Sequence, residues 1–177
     1  MKTKEIGYGG FSIAFMALCS WISIPFSIPF TLQTFGIFFI CFLFGGKRGT
    51  LFTFAYILTG TIGFPVFSGF RGGISTLMDL TGGYILGLLW CAILLWLTER
   101  FWKDNCKWFL VFSVLGLCLC YFFGTLWFLY LNIQSHNVFS IGSVLLMCVF
   151  PFIVPDLIKI VFAYVLANRL KPYLMKN

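Results

Sequence analysis

Long apolar blocks fill this chain, and short polar stretches separate them. The pattern predicts six helical membrane segments, at about 11–25, 33–45, 49–63, 82–98, 108–131 and 141–168. The second and third are short, at roughly 13–15 residues against the ~20 of a full crossing. They are expected to tilt little, to thin the bilayer locally or to extend into flanking residues. The last is too long for one crossing unless it breaks, and Pro151 and Pro155 permit a break. The expected fold is an all-α membrane protein, a six-helix bundle forming a single integral membrane domain over residues 1–177.

The polar positions inside those blocks are few. The most informative are in Pro155-Asp156-Leu157-Ile158-Lys159, which puts a carboxylate and an ammonium into hydrocarbon surroundings. Ionisable residues at membrane depth are costly and are kept for a partner or a function. A spacing of i, i+3 sets Asp156 and Lys159 on one helix face. Pro155 suits a first helical turn, where Asp156 would meet the positive end of the helix dipole. A new helix is therefore expected to start near Pro151 or Pro155 with both charges at its mouth. Broken helices with polar ends inside a membrane line solute sites.

Composition narrows the class. Of 177 residues, 60% are hydrophobic and only 10% charged, too little charge to cover a water-soluble domain of this length. Mean hydropathy is +1.00. Twelve basic residues face five acidic ones, for a net charge of +7. Their positions speak for topology rather than for nucleic acid. With the amino terminus inside, Lys2, Lys4, Lys47, Arg48, Arg100, Lys103, Lys107, Arg169, Lys171 and Lys176 share the inner side, and Arg71 stands alone outside. Both termini are then cytoplasmic, and the chain is a multi-pass protein of the cytoplasmic membrane surrounded by lipid. No polar groove for nucleic acid is visible. The first apolar segment lacks a small-x-small cleavage site and is expected to be retained. The seven cysteines show no CxxC and read as small packed hydrophobes.

Two outer loops stand out. One holds Pro25 and Pro29, which fix extended backbone and prevent a continuous helix. The other runs from Phe64 to Gly83 and is rich in glycine and aromatics around Arg71, consistent with a lid over a site or with an interfacial loop. The polar residues Gln33, Thr34, Arg71, Asp79, Thr81, Tyr84, Asp156 and Lys159 all fall toward the outer half, which favours an outward-facing cavity walled by aromatics. Plainer roles stand beside this one. Arg71 and Tyr84 suit interfacial anchoring, Gln33 and Thr34 helix capping or interhelical bonding, and Asp79 and Thr81 capping of the fourth helix. Asp156 with Lys159 could form a self-neutralising pair, although an apolar pair would be cheaper. Enzyme chemistry is thin. His136 is the sole histidine, no metal or cofactor pattern is present, and the Walker pattern fails at Gly46-Lys47-Arg48. Ser68 with His136 is the one imaginable hydrolase dyad, but Phe67-Ser68-Gly69-Phe70 lacks GxSxG. The chain is expected not to be an enzyme.

An ordered set of motifs resembles a known family. Ser27-Ile28-Pro29-Phe30-Thr31-Leu32-Gln33-Thr34-Phe35-Gly36, Gly45-Gly46-Lys47-Arg48-Gly49, Gly63-Phe64-Pro65-Val66-Phe67-Ser68-Gly69, Arg71-Gly72-Gly73, Thr81-Gly82-Gly83-Tyr84 and Pro155-Asp156-Leu157-Ile158-Lys159 are similar to the BioY family, the biotin-specific substrate-binding (S) subunits of energy-coupling-factor (ECF) transporters. The resemblance implies a six-helix S-component fold with outward-side loops covering a ligand cavity, and a vitamin captured outside. Its implied partners are a transmembrane coupling (T) subunit and two ABC-type ATPases. Biotin is the implied transported ligand, with another small vitamin as the alternative. Asp156 can accept ureido N–H bonds, Lys159 or Arg71 can pair with the carboxylate or the ureido oxygen, and Phe67, Phe70 and Tyr84 can cover the ring and tail. Gln33 completes the candidate set. S subunits often carry an AxxxA-like pattern on the first helix for docking. Here Ala14 and Ala17 are three apart, and Leu18 stands where the second alanine would be.

Overall fold

A computed structural model describes residues 3–25, 28–103, 105–134 and 140–174 of the chain. Six helices form the bundle: α1 (Thr3–Trp21), α2 (Gln33–Phe44), α3 (Gly46–Ile62), α5 (Gly82–Leu97), α7 (Cys106–Gln134) and α9 (Phe150–Leu174). Short helices α4 (Ile74–Met78), α6 (Glu99–Trp102) and α8 (Ile141–Cys148) lie between them. Between α1 and α2 the chain forms an antiparallel pair, β1 (Ser23–Ile24) and β2 (Phe30–Thr31), with Ser23 opposite Thr31. Pro25 and Pro29 flank this ladder, where no paired N–H is required of them.

The shortness of α2 has a structural reason. Its twelve residues span roughly 18 Å, well under the ~30 Å hydrocarbon core. Every one of them except Thr34 is buried, and α1, α3, α5 and α9 surround it. A helix apolar all round belongs at the centre of a bundle, where protein rather than lipid covers it. Its first turn therefore ends inside the protein and carries Gln33 and Thr34 to the base of a cavity.

Helices α5 and α7 are joined by two stripes of small residues four apart, Gly83, Gly87 and Cys91 on one and Gly116, Cys120 and Gly124 on the other. A Cβ at Gly87 would sit 2.9 Å from the Cys120 Cα, and one at Gly124 only 2.3 Å from the Tyr84 ring. Close approach of this kind is how helices pack tightly in lipid. It also seats Tyr84 and Tyr121 next to the same space.

The two ends of the bundle differ in chemistry. At one end Arg48 pairs with Glu5 at 3.1 Å, Glu99 accepts the Lys47 backbone N–H, and the Lys171 ammonium lies over Phe42. The described basic residues Lys4, Lys47, Arg48, Arg100, Lys103, Lys107, Arg169 and Lys171 all fall at helix ends or turns on this side. Lys2 and Lys176 lie outside the described residues. The hairpin, the 64–81 loop and the start of α9 form the opposite end.

Two expectations need correction, and the small residues of α1 divide between buried and exposed faces. Helix α1 begins at Thr3, well before position 11, and its polar first turn carries Glu5, which pairs with Arg48 of α3. The break in the last segment falls at Val149, whose φ of −125° and ψ of −59° end α8. Pro151 occupies the first turn of α9, while Pro155 and Asp156 lie inside that helix rather than at its mouth. Asp156 is held by side chains, not by a helix terminus. Lastly, Ala17 is buried at 4% exposure and cannot share an outer face with Ala14, whereas Gly10, one turn before Ala14, is exposed with open space around it.

Candidate functional site

Asp156 and Lys159 meet on the inner face of α9, with an Nζ–Oδ1 distance of 2.7 Å and exposures of 3% and 7%. Three more elements supply partners. Thr34 at the start of α2 donates its hydroxyl to Asp156 Oδ1 at 3.0 Å, and Tyr121 on α7 donates to Oδ2 at 2.7 Å. Lys159 donates to the Thr31 carbonyl of the hairpin and lies 3.8 Å from the Phe30 ring centroid. The pair is thus wrapped by polar groups, as a buried ion pair must be to offset its desolvation. A carboxylate offers about four acceptor positions, so three donors leave roughly one open. The lysine's donors are directed at Asp156, Thr31 and an aromatic face.

These residues form one wall of a cavity of about 690 Å³, its open mouth included. The far wall is the 64–81 loop, which contributes Phe67, Ser68, Arg71, Thr76 and Thr81, and the remaining surface is mostly apolar, from Ile28, Ile85, Leu88 and Phe152. Arg71 sits at the rim. Its Nη1 donates to Asp79 Oδ2 at 2.7 Å and its Nε to the Ser68 carbonyl at 3.3 Å, and both partners of the ion pair are nearly half exposed. Asp79 is anchored in turn, because its backbone carbonyl accepts the Trp127 indole N–H at 3.1 Å. Tyr84 approaches Thr125 at 3.5 Å across α5 and α7.

Gln33, Phe67, Arg71, Tyr84, Asp156 and Lys159 all line this cavity. Phe70 does not. It packs against Trp21 in a tilted arrangement at 4.8 Å between centroids, outside the cavity, in a left-handed conformation with φ of 56°. Trp21 also donates to the Pro65 carbonyl at 2.8 Å, so this contact fastens the loop to the end of α1. Thr81 stands at the N-cap position of α5 without a side-chain capping bond, and the Asp79 carboxylate accepts the Leu80 N–H instead. His136 lies outside the described residues, so of the hydrolase pair only Ser68 is placed.

Tyr121, Thr31, Cys120, Cys148 and Phe152 also line the cavity, and Thr34 is a partner of Asp156, none of which the sequence pattern indicates directly. The signal for Tyr121 was its place beside the Gly116, Cys120 and Gly124 stripe, which marks the inward side of α7.

A profile of the BioY family matches residues 1–176. The chain belongs to the BioY family. Among its BioY relatives, the Biotin transporter BioY of Thermotoga maritima is 38% identical, over 95% of this chain and 96% of that protein. The Probable biotin transporter BioY of Pyrococcus horikoshii is 32% identical, over 97% and 98%. The chain also superposes on a crystal structure of the S-component for biotin from an ECF-type ABC transporter. The TM-score is 0.83 at 28% sequence identity, covering 96% of this chain and 92% of that one. The fold is that of an ECF S component, with α1, α2, α3, α5, α7 and the α8–α9 pair as its membrane helices. BioY relatives are transporter components, and this chain is a membrane protein of that kind.

Proposed function

We propose that the protein is the biotin-binding subunit of a vitamin importer. The observation that carries this reading is the Asp156–Lys159 pair, buried in a polar collar that faces a cavity with otherwise mostly apolar walls. The names of the relatives supply the vitamin. Biotin brings an apolar fused ring, a ureido group with two N–H donors and one C=O acceptor, and a carboxylate on an alkyl tail. The acceptor position left on Asp156 suits a ureido N–H. Of the two basic residues, Arg71 suits the carboxylate better. A guanidinium has five N–H donors, and the protein takes two of those of Arg71. The donors of Lys159 are already directed within the wall. The bicyclic head then lies toward Asp156, between Tyr84 and Phe67, and the tail runs to the rim.

The proposal extends to topology and assembly. The basic end of the bundle faces the cytoplasm with both termini, and the cavity opens outward. A T subunit and two ABC-type ATPases would drive release, since no ATP-binding motif is present in this chain. The exposed Gly10-x-x-x-Ala14 face of α1 suits close packing against a transmembrane partner. Isothermal calorimetry of the purified protein tests the binding reading. Tight binding of biotin, with riboflavin and thiamine inactive, supports it. Preference for either control ligand, or no biotin binding, overturns it.

A further inference from the structure

Tyr56 is fully buried on α3 and lies outside the cavity lining, yet it touches two groups that shape the cavity. Its hydroxyl is 2.9 Å from the Val66 carbonyl and 3.0 Å from Gln33 Nε2. The order of donors in this relay is forced. A carbonyl can only accept, so the Tyr56 O–H donates to Val66. The phenol oxygen must then accept from Gln33, and the amide atom facing it must be the NH2 group. Gln33 Oε1 therefore points away from Tyr56, and it has no protein hydrogen-bond partner among the described residues. Gln33 itself is 7% exposed and lines the cavity. The oxygen is not one of the sealed, unpartnered polar atoms of the described residues, so it keeps access to the cavity, where a ligand N–H can reach it.

We infer that Tyr56 is a positioning residue that locks the Gln33 side-chain amide with its oxygen toward the ligand, making Gln33 Oε1 a selective acceptor for a ligand N–H. This rests on the biotin reading and deepens it. With Asp156 taking one ureido N–H, Gln33 takes the other, and the site recognises a cyclic urea by both of its nitrogens. The relay also fixes the loop, because Val66 precedes Phe67, whose ring meets that of Tyr56 edge-on at 5.7 Å. Tyr56→Phe keeps that ring contact and removes the hydroxyl alone.

The test uses biotin and its two regioisomers methylated on one ureido nitrogen, titrated into wild type, Tyr56→Phe and Gln33→Met. Wild type should reject at least one regioisomer by roughly 100-fold or more, because a site built around an N–H donor leaves its acceptor unpaired with the analogue. In Tyr56→Phe, biotin affinity should fall about tenfold while that regioisomer loses little, so the discrimination narrows. Gln33→Met should show the same narrowing without depending on how well Tyr56→Phe folds. If Tyr56→Phe weakens all three ligands equally, the tyrosine only supports the fold and the inference fails. It fails equally if Gln33→Met binds biotin as wild type does. Absence of biotin binding in wild type would remove the functional reading itself, and this inference with it.

Discussion

Replacing Asp156 with asparagine separates stability from recognition at the centre of the site. The change is nearly isosteric but removes the anion that receives three hydrogen bonds, from Thr34, Tyr121 and Lys159. Lys159, at 7% exposure, is then left as a buried cation without its counterion. Breaking a buried pair from one side costs about 3–5 kcal/mol. For a chain of this size that corresponds to a melting temperature lower by roughly 6–20 °C. Biotin affinity should fall at least about tenfold, or ~1.4 kcal/mol, since the amide offers a weaker acceptor to the ureido group. The double variant Asp156→Asn/Lys159→Met discriminates between causes. Removing both charges should restore most of the thermal stability, because an apolar or neutral replacement of a buried pair is often neutral or stabilising. It should not restore binding. Thermal unfolding in detergent and calorimetry with biotin provide both readouts. The reasoning is refuted if Asp156→Asn binds biotin like the parent, or if the double variant recovers affinity together with stability.

Other changes probe the rest of the cavity. Arg71→Gln should weaken biotin roughly three- to tenfold, a modest effect for a half-exposed group, and should leave the affinity for biotin amide nearly unchanged; calorimetry with both ligands checks this. Gly124→Ala places a Cβ where the Tyr84 ring lies 2.3 Å away. Thermal unfolding should show a destabilisation of about 1–3 kcal/mol, and biotin titration a loss of at least about fivefold as Tyr84 is displaced. Phe70→Ala should change biotin affinity by no more than about twofold in the same titration, because the ring packs on Trp21 outside the cavity.

The hydrophobic pattern revealed the bundle because lipid leaves an unambiguous record, and the short second segment was visible as an anomaly before α2 emerged as the enclosed central helix. Asp156 and Lys159 were legible for the same reason: charge stands out against hydrocarbon. Tyr121 and Thr31 were not, since a hydroxyl or a carbonyl in an apolar run says nothing about the direction it faces. The direction of Tyr121 follows from the packing of α5 on α7, and that depends on the four-residue stripes of small residues in both helices. Pro155 misled because proline marks a helix start more often than an interior position. Here Val149 and Pro151 had already made the break, and side chains hold Asp156 where a helix terminus was expected to. Phe70 was drawn into the candidate site as an aromatic of the glycine-rich loop able to cover a ligand ring, but the left-handed turn at Phe70 sends the ring to Trp21 instead.

A structure of the protein with biotin bound tests the central claim most directly. A ureido nitrogen is expected within hydrogen-bonding distance of Asp156 and the carboxylate at Arg71, with the tail between them inside the cavity. Biotin held elsewhere on the bundle, or in the cavity with its carboxylate at Lys159 and its ureido group at the rim, would contradict it.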